Sequence, residues 1–291
     1  MPTSAGSSLR SRWPEWAEAM RVDDGLVAEA YDATPAGCRA ALKTGLALAF
    51  LHFGQQPKRV LEERTEPELG FWRHVADDPA PWAMVAFPCD YTAAARIAAA
   101  CVPALLAGVP LVGAASIGGP PSTQALAALE LSGVEDILQL DVAGLCALLE
   151  EAQPGNGRLV LLHAGELESC AHAARILNLP CHQERRPPIL AIPDPAAFDL
   201  EALGFAHGAA LTPALEPAHP VAPDAVFIAE AGAKTLCRAS RHGPHDTARL
   251  ALCPGTEGFW LHQGLGPAFF RTRRRAFGTF NPNPGPEERT P

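Results

Sequence analysis

The stretch ACVPALLAGVPLVGAASIGGPPSTQALAALELSGVEDILQLDVAGLCALLEEA (residues 100–152) decides the fold of this chain. It alternates runs rich in alanine and leucine with two short apolar runs, VPLVGA (residues 109–114) and DILQL (residues 136–140). Alanine and leucine are strong helix formers, whereas short apolar runs bounded by turn residues are typical of strands buried on both faces. The stretch therefore predicts helices and strands in alternation.

Turn and cap residues mark the helix ends in this stretch. Gly108 is expected to close the first helix, which begins in YTAAARI before the stretch. Ser122 or Thr123 is expected to cap the second helix at its N-terminus, and Gly133 is expected to end it. The third helix is expected at residues 141–152.

The same alternation continues on both sides. Strands are predicted at residues 82–87, 158–163 and 188–192, helices at residues 35–53, 165–177 and 195–207, and two further apolar runs lie at residues 225–232 and 248–253. Strands separated by helices indicate a parallel sheet covered on both faces. We expect an α/β fold: a parallel Rossmann-like sheet with flanking helices plus a second, smaller α/β layer.

This pattern divides the chain into four regions. Residues 1–81 are predicted as an N-terminal helical segment packed on the second domain, residues 82–183 as the Rossmann-like domain, residues 184–270 as the second α/β domain, and residues 271–291 as a C-terminal tail. The segment GQQPKRVLEERTEPELG (residues 54–70) is predicted as linker and helix. The basic run RTRRR (residues 271–275) is expected to form a solvated helix face or tail.

Charge and composition exclude several classes of partner. The 291 residues carry a formal net charge of −9 and one basic run, which argues against nucleic acid and anionic membranes as partners. No apolar stretch approaches the roughly 20 residues of a membrane span, and the N-terminus lacks the apolar core of a signal peptide, so a cytoplasmic protein is predicted. The 8 cysteines form no C-x-x-C pair, which favours buried, reduced thiols.

Polar residues follow two of the predicted strands. Asp90 and Tyr91 come after the strand at residues 82–87, and His163 and Glu166 come at the end of the strand at residues 158–163. Ligands of parallel sheets bind beyond the carboxyl ends of the strands, so these four residues are pocket candidates. No G-x-G-x-x-G pattern follows the first strand, and SIGGPPS (residues 116–122) lacks the lysine of a phosphate-binding loop and is interpreted as a turn.

Several short motifs resemble histidinol dehydrogenase, within the broader aldehyde-dehydrogenase-like fold. The matched motifs are PA at residues 103–104, AGV at residues 107–109 and GV at residues 133–134. The resemblance continues through residues 187–208 and returns at residues 252–271. It implies an oxidoreductase-like protein with NAD or NADP as cofactor, a small-molecule ligand and a homodimeric assembly.

The chain departs from that family where the family's chemistry is located. The family's glycine pair after the first strand corresponds to Pro88 and Cys89, and its zinc-binding Gln-Ala-Glu-His stretch corresponds to residues 204–207, of which His207 alone is retained. Its catalytic Glu-His falls on Asp224 and Ala225, so the histidine base is missing. One histidine cannot hold zinc, and hydride transfer from an alcohol needs a base. We therefore expect no zinc and no histidinol oxidation by the family's mechanism.

Two other chemical candidates lie further along the chain. Cys237, between Lys234 and Arg238, is either a nucleophile like that of aldehyde dehydrogenases, with a lowered pKa, or an ordinary helix cysteine. The run RHGPHDTA holds His242, His245 and Asp246, which form either a metal site or an exposed loop.

Two functions remain open from the sequence. One is an oxidoreductase-like protein that keeps a dinucleotide or small-molecule cleft and works by divergent chemistry, with Cys237 or His207 as its catalytic candidates. The other is a non-catalytic relative that uses the old cleft or a dimer face for binding.

Overall fold

The structure is a computed structural model that describes residues 12–152, 156–211, 223–238 and 248–280. The helices are α1 (Glu15–Glu18), α2 (Asp24–Ala33), α3 (Ala36–Phe53), α4 (Ala94–Leu106), α5 (Thr123–Ser132), α6 (Val142–Glu151), α7 (Glu168–Ile176), α8 (Leu200–His207) and α9 (Glu230–Arg238). The strands are β1 (Val60–Glu66), β2 (Phe71–Pro79), β3 (Ala83–Pro88), β4 (Val112–Ile117), β5 (Asp136–Leu140), β6 (Arg158–Leu162), β7 (Cys181–Glu184), β8 (Leu190–Ala191), β9 (Ala225–Phe227), β10 (Leu250–Leu252) and β11 (Arg271–Thr279).

A five-stranded parallel sheet forms the centre of the protein, in the order β5-β4-β3-β6-β7. Both faces of the sheet are covered. On β3, Met84 and Ala86 belong to the apolar core that includes α6 and α7, whereas Val85 and Phe87 belong to the core that includes α4 and α5. The predicted α/β fold with a covered parallel sheet is confirmed.

The structure confirms the predicted start and end of α5. The Ser122 hydroxyl accepts a hydrogen bond from the Ala125 N–H at 3.2 Å, and Gly133 ends the helix at a φ of 77°, where a side chain would be strained. Strand β4 begins at Val112 rather than at the predicted position 109. The reason is that the Val109 N–H still donates to the Ala104 carbonyl at 3.2 Å, so Val109 belongs to the end of the preceding helix.

A second, three-stranded parallel sheet has the order β10-β9-β8. Its helix α8 was predicted from residue 195 but begins at Leu200, because Asp199 caps it by accepting hydrogen bonds from the N–H groups of Glu201 and Ala202, each at 3.0 Å. Residues Pro195–Ala197 form a separate 3-10 turn. This sheet is the smaller α/β layer that the sequence predicts.

The third sheet was not predicted. Strands β1, β2 and β11 form an antiparallel sheet with β2 in the middle, so the helix predicted within residues 54–70 is wrong, and so is the solvated helix or tail predicted for RTRRR. Strand β11 pairs with β2 across almost 200 residues of sequence, Arg271 lying opposite Pro79. Residues 1–81 are therefore not all helical. The boundaries of the four regions stay a prediction.

Arg271 ties the antiparallel sheet to the rest of the protein. Its buried guanidinium donates hydrogen bonds to the Asp77 carboxylate at 2.8 Å and to the carbonyls of Pro57 at 2.8 Å and Ala107 at 3.2 Å. Ala107 directly follows α4. The antiparallel sheet is therefore hydrogen-bonded, at the end where β11 begins and β2 ends, to the residue that follows α4.

Among the described residues, no helix combines the length and the apolar composition that crossing a bilayer requires. The seven cysteines whose side chains are described are free thiols.

Candidate functional site

The strand order places a crevice between β3 and β6. The chain adds β4 and β5 on one side of β3 and then β6 and β7 on the other, so the connections leave the carboxyl ends of β3 and β6 in opposite directions. Such a reversal point is where open α/β sheets bind ligands. Tyr91 follows β3 and His163 follows β6, so both lie at this point.

Tyr91 contributes a hydrogen-bond donor to this region. Its hydroxyl donates to Glu184 Oε1 at 2.8 Å, and its ring lies 5.0 Å from the Arg96 guanidinium carbon. Burial raises the pKa of Tyr91 well above its usual value, and this effect outweighs the opposing effect of the Arg96 charge. Tyr91 therefore stays a neutral phenol at physiological pH.

Glu184, the last residue of β7, joins three other side chains in what we call the carboxylate network (Tyr91, Arg96, Glu184 and His262). Arg96 Nη1 donates to Glu184 Oε1 at 2.8 Å, and His262 Nδ1 lies 3.1 Å from Glu184 Oε2. The side chains of Arg96, His262 and Glu184 are 4%, 3% and 13% exposed. These three side chains are therefore almost completely removed from water, and Tyr91 is partly buried.

The network fixes the charge on Glu184. Burial acts to raise the pKa of the Glu184 carboxyl, but the hydrogen bond from His262 and the Arg96 charge act more strongly together, so the pKa lies below its usual value. His262 Nε2 contacts the Arg96 carbonyl oxygen at 2.8 Å. Both ring nitrogens of His262 thus lie within hydrogen-bond distance of an oxygen atom.

A cleft with a volume of about 210 Å³ lies beside the carboxylate network. It separates the carboxyl end of β7 from the second parallel sheet. Its lining consists of His182, Gln183, Glu184, Arg185, Arg186, Pro188, Asp224, Arg249, Trp260, Leu261, His262 and Gln263. Glu184 and His262 therefore belong to both the network and the cleft wall.

Asp224 orders one side of the cleft. Its carboxylate lies 2.9 Å from Arg186 Nη1 and 2.7 Å from Arg249 Nη2, and it accepts the Ile189 N–H at 2.9 Å. Burial acts to raise the pKa of Asp224, but the Ile189 hydrogen bond and the two arginines lower it below its usual value. Asp224, where the family comparison located the missing base, is thus an ionised anchor for two guanidinium groups.

His182 supplies a neutral imidazole to the cleft wall. Burial lowers its pKa to about 4, and the nearby charge of His262, whose ring lies 5.9 Å away, acts in the same direction. At neutral pH the His182 ring therefore carries no charge.

The four pocket candidates of the sequence occupy different surroundings. Tyr91 lies in the network. His163 is buried, its Nδ1 accepts the Gly165 N–H at 3.0 Å, and its Nε2 has no hydrogen-bond partner among the described residues. Glu166 is exposed and accepts the N–H of Ala164, two residues earlier, and Asp90 is also exposed. The structure thus gathers Tyr91 with Glu184 and does not bring Asp90 or Glu166 to them.

His207 is a packed, neutral histidine. It has no exposed surface, its Nε2 contacts the Glu257 carbonyl at 2.9 Å, and its ring lies 5.3 Å from the ring of Phe227 and 5.6 Å from that of Trp260. Burial, assisted by the Arg96 charge, lowers its pKa to about 3. Within the described ranges, no group of three or more His, Cys, Asp or Glu side chains could hold a metal ion.

The remaining chemical candidates lie outside what the structure describes. Cys237 falls in α9, but its side chain is not among the described ones. His242, His245 and Asp246 lie outside the described residues. Their roles as nucleophile or metal ligands stay predictions.

Sequence reasoning missed Arg96, His182, Glu184 and His262. These residues come from α4, from β7 and from a loop near the C-terminus, and they become neighbours only in the folded protein. One signal was present: Arg96 is the single charged residue of the alanine-rich helix α4. An arginine in an apolar helix is rarely buried unless it is paired, so it predicts a carboxylate partner.

Comparisons with known proteins agree with this architecture. No family model and no curated protein matches the sequence. Histidinol dehydrogenase from Elizabethkingia anophelis is similar in structure at a TM-score of 0.57 and 11% identity, over 90% of this chain and 77% of that one. Succinate-semialdehyde dehydrogenase from Burkholderia pseudomallei matches at a TM-score of 0.35 and 16% identity, over 80% of this chain and 57% of that one.

The match to histidinol dehydrogenase shows an α/β fold of the dehydrogenase kind. More specifically, the chain has a histidinol-dehydrogenase-like fold, as the sequence motifs implied. At 11% identity the similarity to histidinol dehydrogenase concerns the fold and not the chemistry.

Proposed function

We propose that this protein binds a small molecule in the cleft and that it is a non-catalytic relative on an oxidoreductase-like fold. The observation that carries the proposal is the carboxylate network in the cleft wall. Removing an arginine and a glutamate from water costs several kcal/mol, and apolar side chains of similar size are often as stable or more so. A network of this kind beside a cleft therefore supports a role in ligand binding.

The state of the network argues against proton abstraction by its members. A general base needs a free lone pair and a pKa near the working pH. Both oxygens of Glu184 are engaged and its pKa is lowered, so Glu184 is suited to orienting the cleft wall rather than to accepting a proton. His207, the catalytic candidate outside the network, is fully buried among aromatic rings and does not line the cleft.

The indole N–H of Trp260 provides a test of this proposal. Trp260 lines the cleft, and its resonance in a two-dimensional NMR spectrum is assigned by comparison with Trp260→Phe. We expect a library of small anionic, neutral and cationic fragments to contain members that shift this resonance in a saturable way. The partly exposed Trp72 of β2 serves as control and is expected not to shift. If no fragment class shifts Trp260, the proposal is wrong.

A second candidate function is an NAD- or NADP-dependent oxidoreductase. It is favoured by the reversal of strand order between β3 and β6 and by His163, whose buried Nε2 has no hydrogen-bond partner among the described residues. Calorimetric titration with NAD and with NADP tests this function. Saturable heat at a stoichiometry near one, lost in His163→Phe, supports it, and absence of heat with both dinucleotides excludes it.

We also propose that the partner of the antiparallel sheet is a second copy of the chain. Phe277 of this sheet is 58% exposed, and its ring stacks on that of Phe71, on the same face of the sheet, at 6.3 Å. Sedimentation velocity is expected to show a dimer that Phe277→Asp converts to monomer. A monomer across the micromolar range for the unmodified protein would contradict this assembly.

A further inference from the structure

We infer that the ligand of the cleft is a small anion that carries a carboxylate or phosphate group, held by Arg185, Arg186 and Arg249. This inference rests on the proposed function, since it names the chemical class of the molecule in the cleft.

The charge around the cleft is positive in a protein whose net charge is −9. Among the described residues, the lining and the side chains ion-paired with it include four arginines and three carboxylates: Arg96 pairs with Glu184, Arg185 with Glu168, and both Arg186 and Arg249 with Asp224. One guanidinium charge is therefore left without a compensating carboxylate. A local excess of one sign in a cleft attracts ligands of the opposite sign.

Asp224 holds two of the guanidinium groups in fixed positions. Arg186 Nη1 also donates to the Pro187 carbonyl at 3.2 Å, and Arg249 Nη1 donates to the Gln263 side-chain oxygen. Each guanidinium carries five N–H donors in a planar fork, so donors remain on both after these contacts. Such a pair is preorganised for the bidentate recognition of carboxylate and phosphate.

The two carboxylates that line the cleft are already occupied. Glu184 accepts from Tyr91 and Arg96 on one oxygen and faces His262 on the other, and Asp224 accepts from two arginines and the Ile189 N–H. An amine or other donor ligand would have to displace these bonds. The cleft is therefore poorly suited to a cation.

Unused donors, in contrast, are present. Trp260 is 6% exposed and lines the cleft, and its Nε1–H has no hydrogen-bond partner among the described residues. An unpaired buried donor costs about 1–3 kcal/mol unless a ligand or water accepts from it. An anion supplies the acceptor that Trp260 and the free guanidinium donors lack.

The size of the cleft limits the anion. Its volume of about 210 Å³ lies below the range of about 300–1,000 Å³ that is usual for drug-sized ligands. Inorganic phosphate or a short dicarboxylate fits this space. Both probes carry the negative charge that the arginines would bind, but one is an inorganic anion and the other an organic one, so both are tested.

Isothermal titration calorimetry with the full chain at low ionic strength, with phosphate and with succinate as probes, tests the inference. We expect saturable binding of at least one of them, with an affinity that falls as salt is added. The variant Arg186→Gln is expected to weaken binding at least tenfold. Its matched control is Arg59→Gln, which removes an arginine of similar exposure, 63% against 61%, that pairs with Asp78 away from the cleft.

The outcomes separate this inference from the proposed function. Binding that Arg186→Gln weakens and Arg59→Gln leaves unchanged supports the anion site. Equal weakening by both variants, or no binding of either anion, overturns it. If neutral or cationic fragments shift the Trp260 resonance while neither anion does, the cleft binds a ligand of another class, and the proposed function stands without the anion. If nothing shifts Trp260, both are wrong.

Discussion

Strands β3 and β4 of the five-stranded sheet are buried along almost their whole length, whereas the five central residues of β1 in the antiparallel sheet are all exposed. The first sheet is stabilised by apolar side chains on both faces. The second is held by strand pairing, by ion pairs such as Arg274 with Asp78 at 2.5 Å, and by the Arg271 anchor. Three strands are stable when one face is packed, and this difference is the reason for proposing that a second copy of the chain covers the antiparallel sheet.

The largest loss of stability should come from removing a buried side chain of the five-stranded sheet. Phe87→Ala removes a fully buried ring from β3 and should lower the free energy of unfolding by about 3–5 kcal/mol, measured by denaturant titration. Phe277→Ala in β11 is the matched variant and should cost less than about 1 kcal/mol in a monomer. A cost for Phe277→Ala that rises with protein concentration would show that a second copy covers this ring.

The carboxylate network should give the next largest effect. Glu184→Gln leaves the buried Arg96 charge without its carboxylate, which should cost about 3 kcal/mol in unfolding free energy. Arg274→Gln breaks an ion pair of the antiparallel sheet whose arginine is 69% exposed, and such pairs contribute about 0–1 kcal/mol. Equal costs for the two variants would contradict the contrast between a buried and an exposed ion pair.

A smaller, pH-dependent effect is expected from His207. The unfolded chain binds a proton at this residue below about pH 6.5, whereas the folded chain, with the pKa lowered to about 3, does not. Acidification from pH 7 to pH 5 should therefore lower the free energy of unfolding, because the unfolded state binds more protons. His182, with its pKa lowered to about 4, acts in the same direction.

The measurement for His207 is the slope of unfolding free energy against pH between 5 and 7. His207→Phe should flatten this slope, and His74→Gln, at an exposed position of β2, should leave it unchanged. A wild-type stability that is constant over this range would contradict a neutral, buried His207.

The contrast between the two sheets also explains what the sequence could predict. The elements of residues 100–152 follow from local signals such as the Ser122 cap and the Gly133 end. Strand β1 reads VLEERTE and lacks apolar alternation, and its sheet is completed by β11, which lies more than 200 residues away, so no local signal identified it.

The candidate site shows the same limit. The positions of Tyr91 and His163 follow from the rule that ligands bind at strand ends. Glu184 also ends a strand, but its importance depends on Arg96 and His262, which only the folded chain brings to it. Contacts between charged side chains from three separate elements cannot be recognised in a single sequence.

Helix α4 connects the carboxylate network to the antiparallel sheet. Arg96 lies near the start of this helix and joins the carboxylate network, while Ala107, just beyond its end, accepts a hydrogen bond from the Arg271 anchor. At 1.5 Å per residue, the 13 residues of α4 span roughly 20 Å. The wall of the cleft and one end of the antiparallel sheet are thus bonded to opposite ends of one continuous helix, with no loop between them.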